Sequence, residues 1–348
     1  MNFCSDNVTG VAPEILKALE AANVGTAPSY GADAHTAKVE AQLCEIFERK
    51  VTAFPVATGT GANVLGLSTM TPPYGAIYCH EEAHIMVDEC GAPEFYTGGA
   101  KLIPMRGAQG KIAATDLAAR LENARAGDVH HVQPAVVSLT EATESGTAYK
   151  PSEVGAIAEI AKRHKVKLHM DGARFANALA HLGCTPAEIT WKAGVEVLSF
   201  GATKNGAMAA EAVVFFDETL AASLGFRRKR AGHLVSKMRF VSAQLEAYFN
   251  GGLWMKLAKH ANAMAAKLSQ GLQSVDRAYL LHPVEASEIF VRLPLKVVAG
   301  LREAGFDFYD WPGAEPGTIR LVTAFNTDPA HVELFLSVAR RLADNKAA

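Results

Sequence analysis

The chain has 348 residues, of which 49% are hydrophobic and 20% charged, so it can bury a large core and its length predicts about two domains. Lys and Arg number 34 against 36 Asp and Glu, which gives a formal net charge of -2. This balance excludes the basic surfaces that bind nucleic acid or anionic membranes, and it favours a well-packed protein of the kind that most enzymes are.

No apolar run approaches the roughly 18 residues that a membrane-spanning helix needs. Residues 1–6 lack the charged and apolar regions of a signal peptide. The five cysteines are scattered and never occur as C-x-x-C, which is typical of reduced thiols. They are Cys4, Cys44, Cys79, Cys90 and Cys184. These patterns predict a cytoplasmic protein.

Short β-branched segments alternate with Ala-rich segments from residue 37 to residue 216, which predicts an α/β domain with parallel strands. The predicted strands are residues 52–57, 76–79, 135–139, 166–170, 195–200 and 212–216. The predicted helices are residues 37–48, 61–67, 115–120, 151–163 and 185–192. The last four strands are almost continuously apolar, as expected for strands that are covered on both faces.

The pattern changes near residue 240. A long helical segment is predicted over residues 238–272 with an interruption at 250–252, and a smaller α+β unit follows it. The elements of that unit are strand 288–293, helix 296–304, strand 318–323 and a closing helix from Ala330. We therefore predict an N-terminal segment (residues 1–35) associated with the small domain or a dimer interface, a large ligand-binding domain (36–240) and a small C-terminal domain (241–348).

Ligands of open α/β sheets bind beyond the carboxyl ends of the strands, so the residues that follow each strand are site candidates. The first strand is followed by Thr58-Gly59-Thr60-Gly61, whose small residues at a helix N-terminus suit a phosphate group. An ordinary strand-to-helix turn explains the same residues equally well. Because Val64 stands where a dinucleotide fingerprint has its third glycine, a nicotinamide site is disfavoured.

The second strand is followed by His80-Glu81-Glu82-Ala83-His84, which formally matches the zinc-protease pattern H-E-x-x-H. That chemistry needs both histidines on one helical face and a third ligand, and no third ligand is evident nearby. We therefore predict no metal site. His84 suits a ring that stacks on a flat cofactor, and a loop histidine without function is the alternative.

Two charged segments follow the neighbouring strands 166–170 and 195–200. Asp171 suits a protonated ring nitrogen or a helix cap, and Arg174 suits a carboxylate or a surface charge. Lys204 lies among small residues, where desolvation favours the neutral amine that forms an imine. Asp171 and Lys204 are 33 residues apart, which is one strand–helix–strand passage, so they are expected at adjacent strand ends.

Pyridoxal phosphate uses this whole set of groups: a lysine for the Schiff base, an acid for the ring nitrogen, a phosphate turn and a stacking ring. The chain also resembles the low-specificity L-threonine aldolases, which are fold-type-I pyridoxal-phosphate enzymes, over nearly its whole length. The segments that carry the resemblance are Ser5-Asp6-Asn7, Ser29-Tyr30-Gly31, Thr58-Gly59-Thr60, His169-Met170-Asp171-Gly172-Ala173-Arg174 and Ser199-Phe200-Gly201-Ala202-Thr203-Lys204-Asn205-Gly206. It departs from the family at Cys4, where arginine is usual, and at Glu144, where histidine is usual.

The resemblance implies a large domain with a mostly parallel seven-stranded sheet, a smaller α+β domain and a role for each candidate residue. The cofactor would be held by Lys204, Asp171, Gly59, Thr60, His84 and Arg174. The substrate would be held by Ser5, Tyr30, Arg174 and Arg320. The catalytic groups would be Lys204, His84 and His131, or its neighbour His130. Tyr30 and a base from Arg228-Lys229-Arg230 would reach the site of a neighbouring subunit in a dimer or homotetramer.

The function implied is cleavage of L-threonine, L-allo-threonine and related L-β-hydroxy-α-amino acids, phenylserine among them, to glycine and an aldehyde. The preference for L isomers rests on the resemblance alone. Another fold-type-I lyase or an aminotransferase is the main alternative, because such enzymes use the same cofactor set. A zinc hydrolase built on His80 and His84 is a weaker alternative.

Overall fold

The computed structural model describes residues 1–344. Its strands are β1 (Thr52–Val56), β2 (Gly75–His80), β3 (Lys101–Met105), β4 (Gln133–Thr140), β5 (Lys167–Gly172), β6 (Val197–Gly201), β7 (Glu211–Phe215), β8 (Tyr279–Leu280), β9 (Glu288–Arg292), β10 (Tyr309–Asp310) and β11 (Thr318–Val322). Its helices are α1 (Pro13–Ala22), α2 (Ala34–Ile46), α3 (Gly59–Met70), α4 (His84–Val87), α5 (Ala92–Thr97), α6 (Ala114–Glu122), α7 (Pro151–Arg163), α8 (Phe175–Leu182), α9 (Pro186–Ile189), α10 (Glu218–Ala221), α11 (Leu224–Arg230), α12 (Arg239–Phe249), α13 (Leu253–Leu272), α14 (Leu295–Glu303) and α15 (Pro329–Asp344). None of the helices in this part of the chain combines the length and apolar character that crossing a bilayer requires.

Seven strands form one sheet in the order β1-β7-β6-β5-β4-β2-β3. Only β7 runs antiparallel to its neighbours, β1 and β6, so the predicted mostly parallel sheet is confirmed. Sequence reasoning missed β3, which lies at the edge of the sheet. Its Pro104 lowers the strand signal, because proline cannot donate to a ladder and is tolerated in sheets mainly at edges.

The sheet is covered on both faces, as the apolar strands predict. Neighbouring residues of one strand point to opposite faces, so Val197 packs in the core beneath α3 while Leu198 packs in the larger core on the other side. Strands β2, β6 and β7 are buried along their whole length. This explains why they read as continuous apolar runs rather than as alternating patterns.

The register of the parallel ladders brings three strand ends to the same edge of the sheet. Thr140 of β4 lies opposite Asp171 of β5, and Gly172 of β5 lies opposite Phe200 of β6. The segments that leave β4, β5 and β6 therefore emerge side by side. The predicted site residues at 171–174 and 201–206 lie on two of these three segments.

The second unit is an antiparallel sheet in the order β10-β11-β9-β8, which packs with α13, α14 and α15 around its own core. Phe3 lies in this core and contacts Phe306 and Phe335, so the start of the chain packs with the small unit. Within α13, the buried residues up to Ala258 belong to the large core, whereas those from Ala265 onwards belong to the small one. We propose that the two units divide inside α13 rather than at residue 240.

Helix α7 spans the predicted residues 151–163, and the predicted break at 250–252 is present as a 3₁₀ turn in which Gly251 has a positive φ of 59°. The single helix predicted over 185–192 is wrong. Thr190 has φ -109° and ψ -107°, which is not helical, so α9 ends at Ile189 and a separate 3₁₀ turn begins at Trp191.

Candidate active site

Two connected cavities open at the carboxyl edge of the large sheet. The inner cavity has a volume of about 360 Å³ and the outer one about 640 Å³. They share the residues Asn7, His84, Glu144, Arg174 and Lys204, so they form one site with two compartments. A further cavity of about 650 Å³ beside α7 contains none of the predicted site residues.

Lys204 is held in the 3₁₀ turn Thr203–Asn205, directly after β6. The turn is fixed because the Asn205 side-chain amide donates hydrogen bonds to the Tyr248 hydroxyl (2.6 Å) and to the Trp254 carbonyl (2.9 Å). Lys204 is half-buried and lines both compartments. Within residues 1–344 its ammonium group has no hydrogen bond or ion pair, so a rigid turn presents an unengaged amine to the cavity.

A chain of hydrogen bonds links Asp171 to His84 along the inner compartment. Asn63 Nδ2 donates to Asp171 Oδ2 at 2.7 Å and to Glu89 Oε1 at 2.9 Å, and His84 Nδ1 lies 2.9 Å from the same Glu89 oxygen. Asp171 Oδ1 accepts from the Ala173 N–H at 3.0 Å. The hydrogen bond to Glu89 raises the pKa of His84, while burial raises the pKa of Glu89. Asn63 and Glu89 thereby fix both predicted cofactor contacts, and sequence reasoning missed them.

The predicted phosphate turn forms the first turn of α3. Thr58 Oγ1 accepts the Gly61 N–H at 3.0 Å, and Gly59 and Thr60 line the inner compartment. A Cβ atom at Gly61 would overlap the His233 ring, so a larger residue fits here only if that ring moves. The helix N-terminus, with its exposed N–H groups and positive dipole end, can bind an anion at this position.

Arg174 lies at the wall between the compartments and contacts two carboxylates. Its Nε and Nη2 donate to Asp6 at 2.7 Å and 3.0 Å, and its Nη1 lies 3.2 Å from Glu288 Oε2. All three side chains are buried. Burial raises the pKa of Asp6, but the charge and hydrogen bonds of Arg174 outweigh it and hold that pKa below its ordinary value.

Arg320 brings a second guanidinium group to the outer compartment from β11 of the small unit. Its Nη2 donates to the Cys4 carbonyl at 3.2 Å, and its Nη1 lies 3.8 Å from Glu288 Oε1. The guanidinium lies 5.6 Å from the ring centre of Trp311. Its buried Nε has no hydrogen-bond partner within residues 1–344. Ser5 lines the same compartment, so these predicted carboxylate-binding residues do come together.

Glu144 follows β4 and lies in the wall shared by both compartments. Its Oε1 accepts the backbone N–H of His84 at 3.3 Å. Burial raises its pKa to about 7, although the charges of Lys204 and Arg174 oppose that rise. Sequence analysis treated this residue only as a departure from the family. Its place just beyond a strand end was the signal that could have identified it.

The structure does not bring His131 to this site. His131 precedes β4, whose eight residues, at about 3.3 Å each, separate it from the carboxyl edge. It is exposed, and its Nε2 lies 3.8 Å from Asp128 Oδ2. His130 lies beside it and is exposed too. The prediction that either histidine lies near the substrate hydroxyl is therefore wrong for the chain's own cavity, because both histidines precede β4 and lie at the opposite edge of the sheet.

Tyr30 lies outside the lining of both compartments, and the ammonium group of Lys229 lies 4.7 Å from its ring centre. It has a positive φ of 58° and is 49% exposed. Tyr30 was predicted to reach the site of a neighbouring subunit. The structure contains one chain, so this role of Tyr30 stays a prediction.

The H-E-x-x-H string does not form a zinc-protease helix. His80 is the last residue of β2, and its Nε2 lies 3.0 Å from the Gly107 carbonyl, whereas His84 begins the separate helix α4. Across residues 1–344 no group of three or more His, Cys, Asp or Glu side chains is arranged to hold a metal ion. The zinc hydrolase alternative is therefore not favoured.

Comparison with known proteins agrees with this architecture. The chain belongs to the β-eliminating lyase family, whose model matches residues 2–295, and within it to the low-specificity L-threonine aldolases. It is 42% identical over 330 residues to the low specificity L-threonine aldolase of Pseudomonas sp. (strain NCIMB 10558), covering 95% of this chain and 94% of that protein.

Two solved structures show the same fold. A Leishmania major threonine aldolase superposes with a TM-score of 0.93 at 30% identity, covering 98% of this chain and 99% of that one. A Sphingomonas wittichii serine palmitoyltransferase, at 18% identity and a TM-score of 0.73, shares the fold over 98% of this chain and 86% of its own. Together with the family membership, these matches confirm the fold-type-I class, the lyase class and pyridoxal 5′-phosphate as the cofactor.

Proposed function

We propose that this chain catalyses the pyridoxal-phosphate-dependent cleavage of L-threonine, L-allo-threonine and related L-β-hydroxy-α-amino acids to glycine and an aldehyde. One observation carries the proposal. Lys204, Asp171 and the first turn of α3 line a single cavity, which opens into a compartment that contains Arg174 and Arg320. The inner part suits a flat anionic cofactor, and the outer part suits the carboxylate of an amino acid.

The residues of the inner compartment fit the cofactor. The unengaged amine of Lys204 would carry it, Asp171 would partner its ring nitrogen, and Gly59 and Thr60 would bind its phosphate at the helix N-terminus. His84, oriented by its contact with Glu89, would hold the cofactor ring. When bound, pyridoxal phosphate supplies an electron sink for the electron pair of a bond broken at the substrate Cα.

Binding and orientation of the substrate fall to the outer compartment. The Arg320 guanidinium, with its unpaired Nε, binds the substrate carboxylate together with Ser5 and the outward edge of Arg174. Fixing the carboxylate at one end determines which bond of Cα is held in the direction where it breaks. The outer volume of about 640 Å³ leaves room for side chains larger than methyl, so phenylserine belongs in the substrate class.

We further propose that the active form is a homo-oligomer, a dimer or homotetramer, in which subunits share the site. Exposed apolar side chains support this proposal: Met208 lines the inner compartment and is 52% exposed, and Phe226 of α11 is 82% exposed. In that arrangement Tyr30 and the basic segment Arg228-Lys229-Arg230 reach the neighbouring site. The five unpaired cysteines support a cytoplasmic location.

Incubation with L-threonine tests the reaction. We expect acetaldehyde and glycine in equal amounts, benzaldehyde from phenylserine, and no pyruvate or 2-oxo acid. Lys204→Ala is expected to remove both the activity and the long-wavelength absorbance of the bound cofactor. Formation of 2-oxobutanoate in place of acetaldehyde would instead identify an eliminating lyase, and formation of 2-oxo-3-hydroxybutanoate with a 2-oxo acid as amino acceptor would identify an aminotransferase. Release of no aldehyde from any β-hydroxy amino acid would refute the proposal.

A further inference from the structure

Glu144 is the residue that, within residues 1–344, brings a carboxylate to the wall shared by both compartments. It lies where the cofactor compartment meets the substrate compartment, and it lines both. We propose that Glu144 is the base that takes the proton from the β-hydroxyl group of the substrate. The proposal rests on the cleavage reaction proposed above and names the group that performs one of its steps.

The anchoring of Glu144 supports this role. One carboxylate oxygen accepts the His84 backbone N–H at 3.3 Å, so the side chain is held at the end of β4. Within residues 1–344 the other oxygen has no hydrogen bond or ion pair, although Lys204 and Arg174 line the same wall. An oriented carboxylate with one unengaged oxygen at the substrate is the arrangement that general base catalysis requires.

The surroundings of Glu144 set its protonation near neutral pH. The pKa of Glu144 is raised to about 7 because burial, the largest cause, and the charges of Glu288 and Asp171 together outweigh the lowering by Lys204 and Arg174. The other ionisable groups of the shared wall and the outer compartment are His84, Glu82, Asp88 and Arg320. A carboxylate with a pKa near the working pH accepts a proton more effectively than an ordinary one. The base is the deprotonated form, so activity is expected to rise with pH through about 7.

His84 is the rival base, and its contacts make it less suited. Its Nδ1 is engaged by Glu89 at 2.9 Å, and this hydrogen bond raises the pKa of the ring. A ring that stays protonated to higher pH cannot accept the substrate proton there. Its Nε2 lies 3.6 Å from Asp88, which also favours the charged form. We therefore assign His84 to the cofactor ring and the proton transfer to Glu144.

The step balances within the substrate and Glu144. The β-hydroxyl proton moves to the free carboxylate oxygen, and the electron pair of the O–H bond becomes the second C–O bond of the aldehyde. The Cα–Cβ bond breaks, and its electron pair stays on the Cα side. A proton from water is then added at Cα to give glycine, and Glu144 returns its own proton to water before the next turnover, so no proton is gained or lost overall.

The test compares Glu144→Gln with the unchanged holoenzyme. The amide has nearly the same size but cannot accept the proton, so kcat/KM for L-threonine is expected to fall by about 10²–10⁴-fold. The rise of kcat/KM with a midpoint at about pH 7 is expected to disappear. Glycine has no β-hydroxyl group, so its dissociation constant, measured from the cofactor absorbance, is expected to change by less than about twofold, as this role predicts. That binding readout separates loss of the base from loss of the site.

Three further variants complete the test. Glu144→His restores a group that titrates near neutral pH. Its kcat/KM is expected to exceed that of Glu144→Gln by at least about tenfold. Glu81→Gln, which removes a carboxylate whose ion pair with Arg106 is exposed, is the matched control and is expected to leave the rate unchanged. His84→Asn is expected to keep the rise of kcat/KM with its midpoint at about pH 7. The assignment would be overturned if the rise of kcat/KM at about pH 7 persisted in Glu144→Gln, or if it disappeared only in His84→Asn. Failure of the unchanged enzyme to cleave threonine would overturn the proposed function instead.

Discussion

The most informative test of the fold concerns the buried cation at the wall of the site. Replacing Arg174 by methionine keeps the length of the side chain but leaves two buried carboxylates without their cation. Asp6 loses hydrogen bonds of 2.7 Å and 3.0 Å, and Glu288 loses an ion pair of 3.2 Å. Removal of one partner from a buried ion pair lowers the free energy of unfolding by about 3–5 kcal/mol. Because Asp6 is 3% and Glu288 1% exposed, water cannot replace the lost contacts, and we expect the upper part of that range.

The loss in Arg174→Met is expected to depend on pH. In the unchanged protein, burial raises the pKa of Asp6 but Arg174 lowers it further, so the net pKa is depressed. The stabilisation from this carboxylate is therefore present above its unfolded pKa of about 3.9 and is lost as pH falls through its folded pKa. Without Arg174, burial, which is the largest effect on this pKa, is opposed only by the charges of Lys204 and Arg320, so the pKa of Asp6 rises and the carboxyl group becomes neutral under milder conditions. The cost of the substitution should consequently be smaller at pH 5 than at pH 7.

Urea unfolding of the cofactor-free protein, followed by tryptophan fluorescence at pH 7 and pH 5, measures this cost. With a slope of about 3 kcal/mol per M, the midpoint at pH 7 should fall by on the order of 1 M. Arg302→Met is the control, because it breaks an exposed 2.8 Å pair with Asp310 and a guanidinium contact with the Phe308 ring, each of which contributes about 0–1 kcal/mol. Equal losses in the two variants, or a loss in Arg174→Met that does not shrink at pH 5, would refute this reasoning.

Three further predictions follow from individual contacts. Gly61→Ala places a Cβ against the His233 ring and should lower the free energy of unfolding by about 1–3 kcal/mol. A second change, His233→Ala, should restore much of this loss in thermal unfolding, and no recovery in the double variant would count against the contact. Burial lowers the pKa of His169 to about 4, so the free energy of unfolding should decline as pH falls from 6.5 towards 4. His169→Gln should flatten that part of a curve of stability against pH, and an unchanged slope would contradict the prediction. Iodoacetamide should label the exposed Cys90 and spare Cys79, because burial raises the pKa of the Cys79 thiol to about 12. Mass spectrometry of digested peptides measures the labelling, and early labelling of Cys79 would contradict the buried position.

The sequence identified residues whose role follows from their place beside a strand. Asp171 and Lys204 were predicted because each comes directly after a buried apolar strand, and the carboxyl ends of parallel strands share one edge. Gly59, Thr60 and His84 were found in the same way, and all of these residues line the inner compartment. Local pattern was sufficient here, since strand direction alone determines which residues meet.

Other residues were missed because their partners are distant along the chain. Asn63 is 108 residues from Asp171, and no local pattern indicates that its amide joins Asp171 to Glu89. Glu288 is assigned to the site only by its contacts with Arg174 and Arg320. His131 was assigned from the family resemblance alone. The structure places it before β4, whose eight residues span about 26 Å at about 3.3 Å per residue, so it lies at the opposite edge of the sheet from the site.

The sequence by itself determined the alternation of strands and helices, the strand ends and the types of reactive group that follow them, because these depend on neighbours in the chain. Only the tertiary structure decided which charges face one another. It joined Asp6, from the N-terminal segment, to Arg174 of the large unit and Glu288 of the small one. It also enclosed Glu144, which burial turns into a group that titrates at about 7. Desolvation and ion pairing depend on what surrounds a side chain in space, and the order of residues does not specify those surroundings.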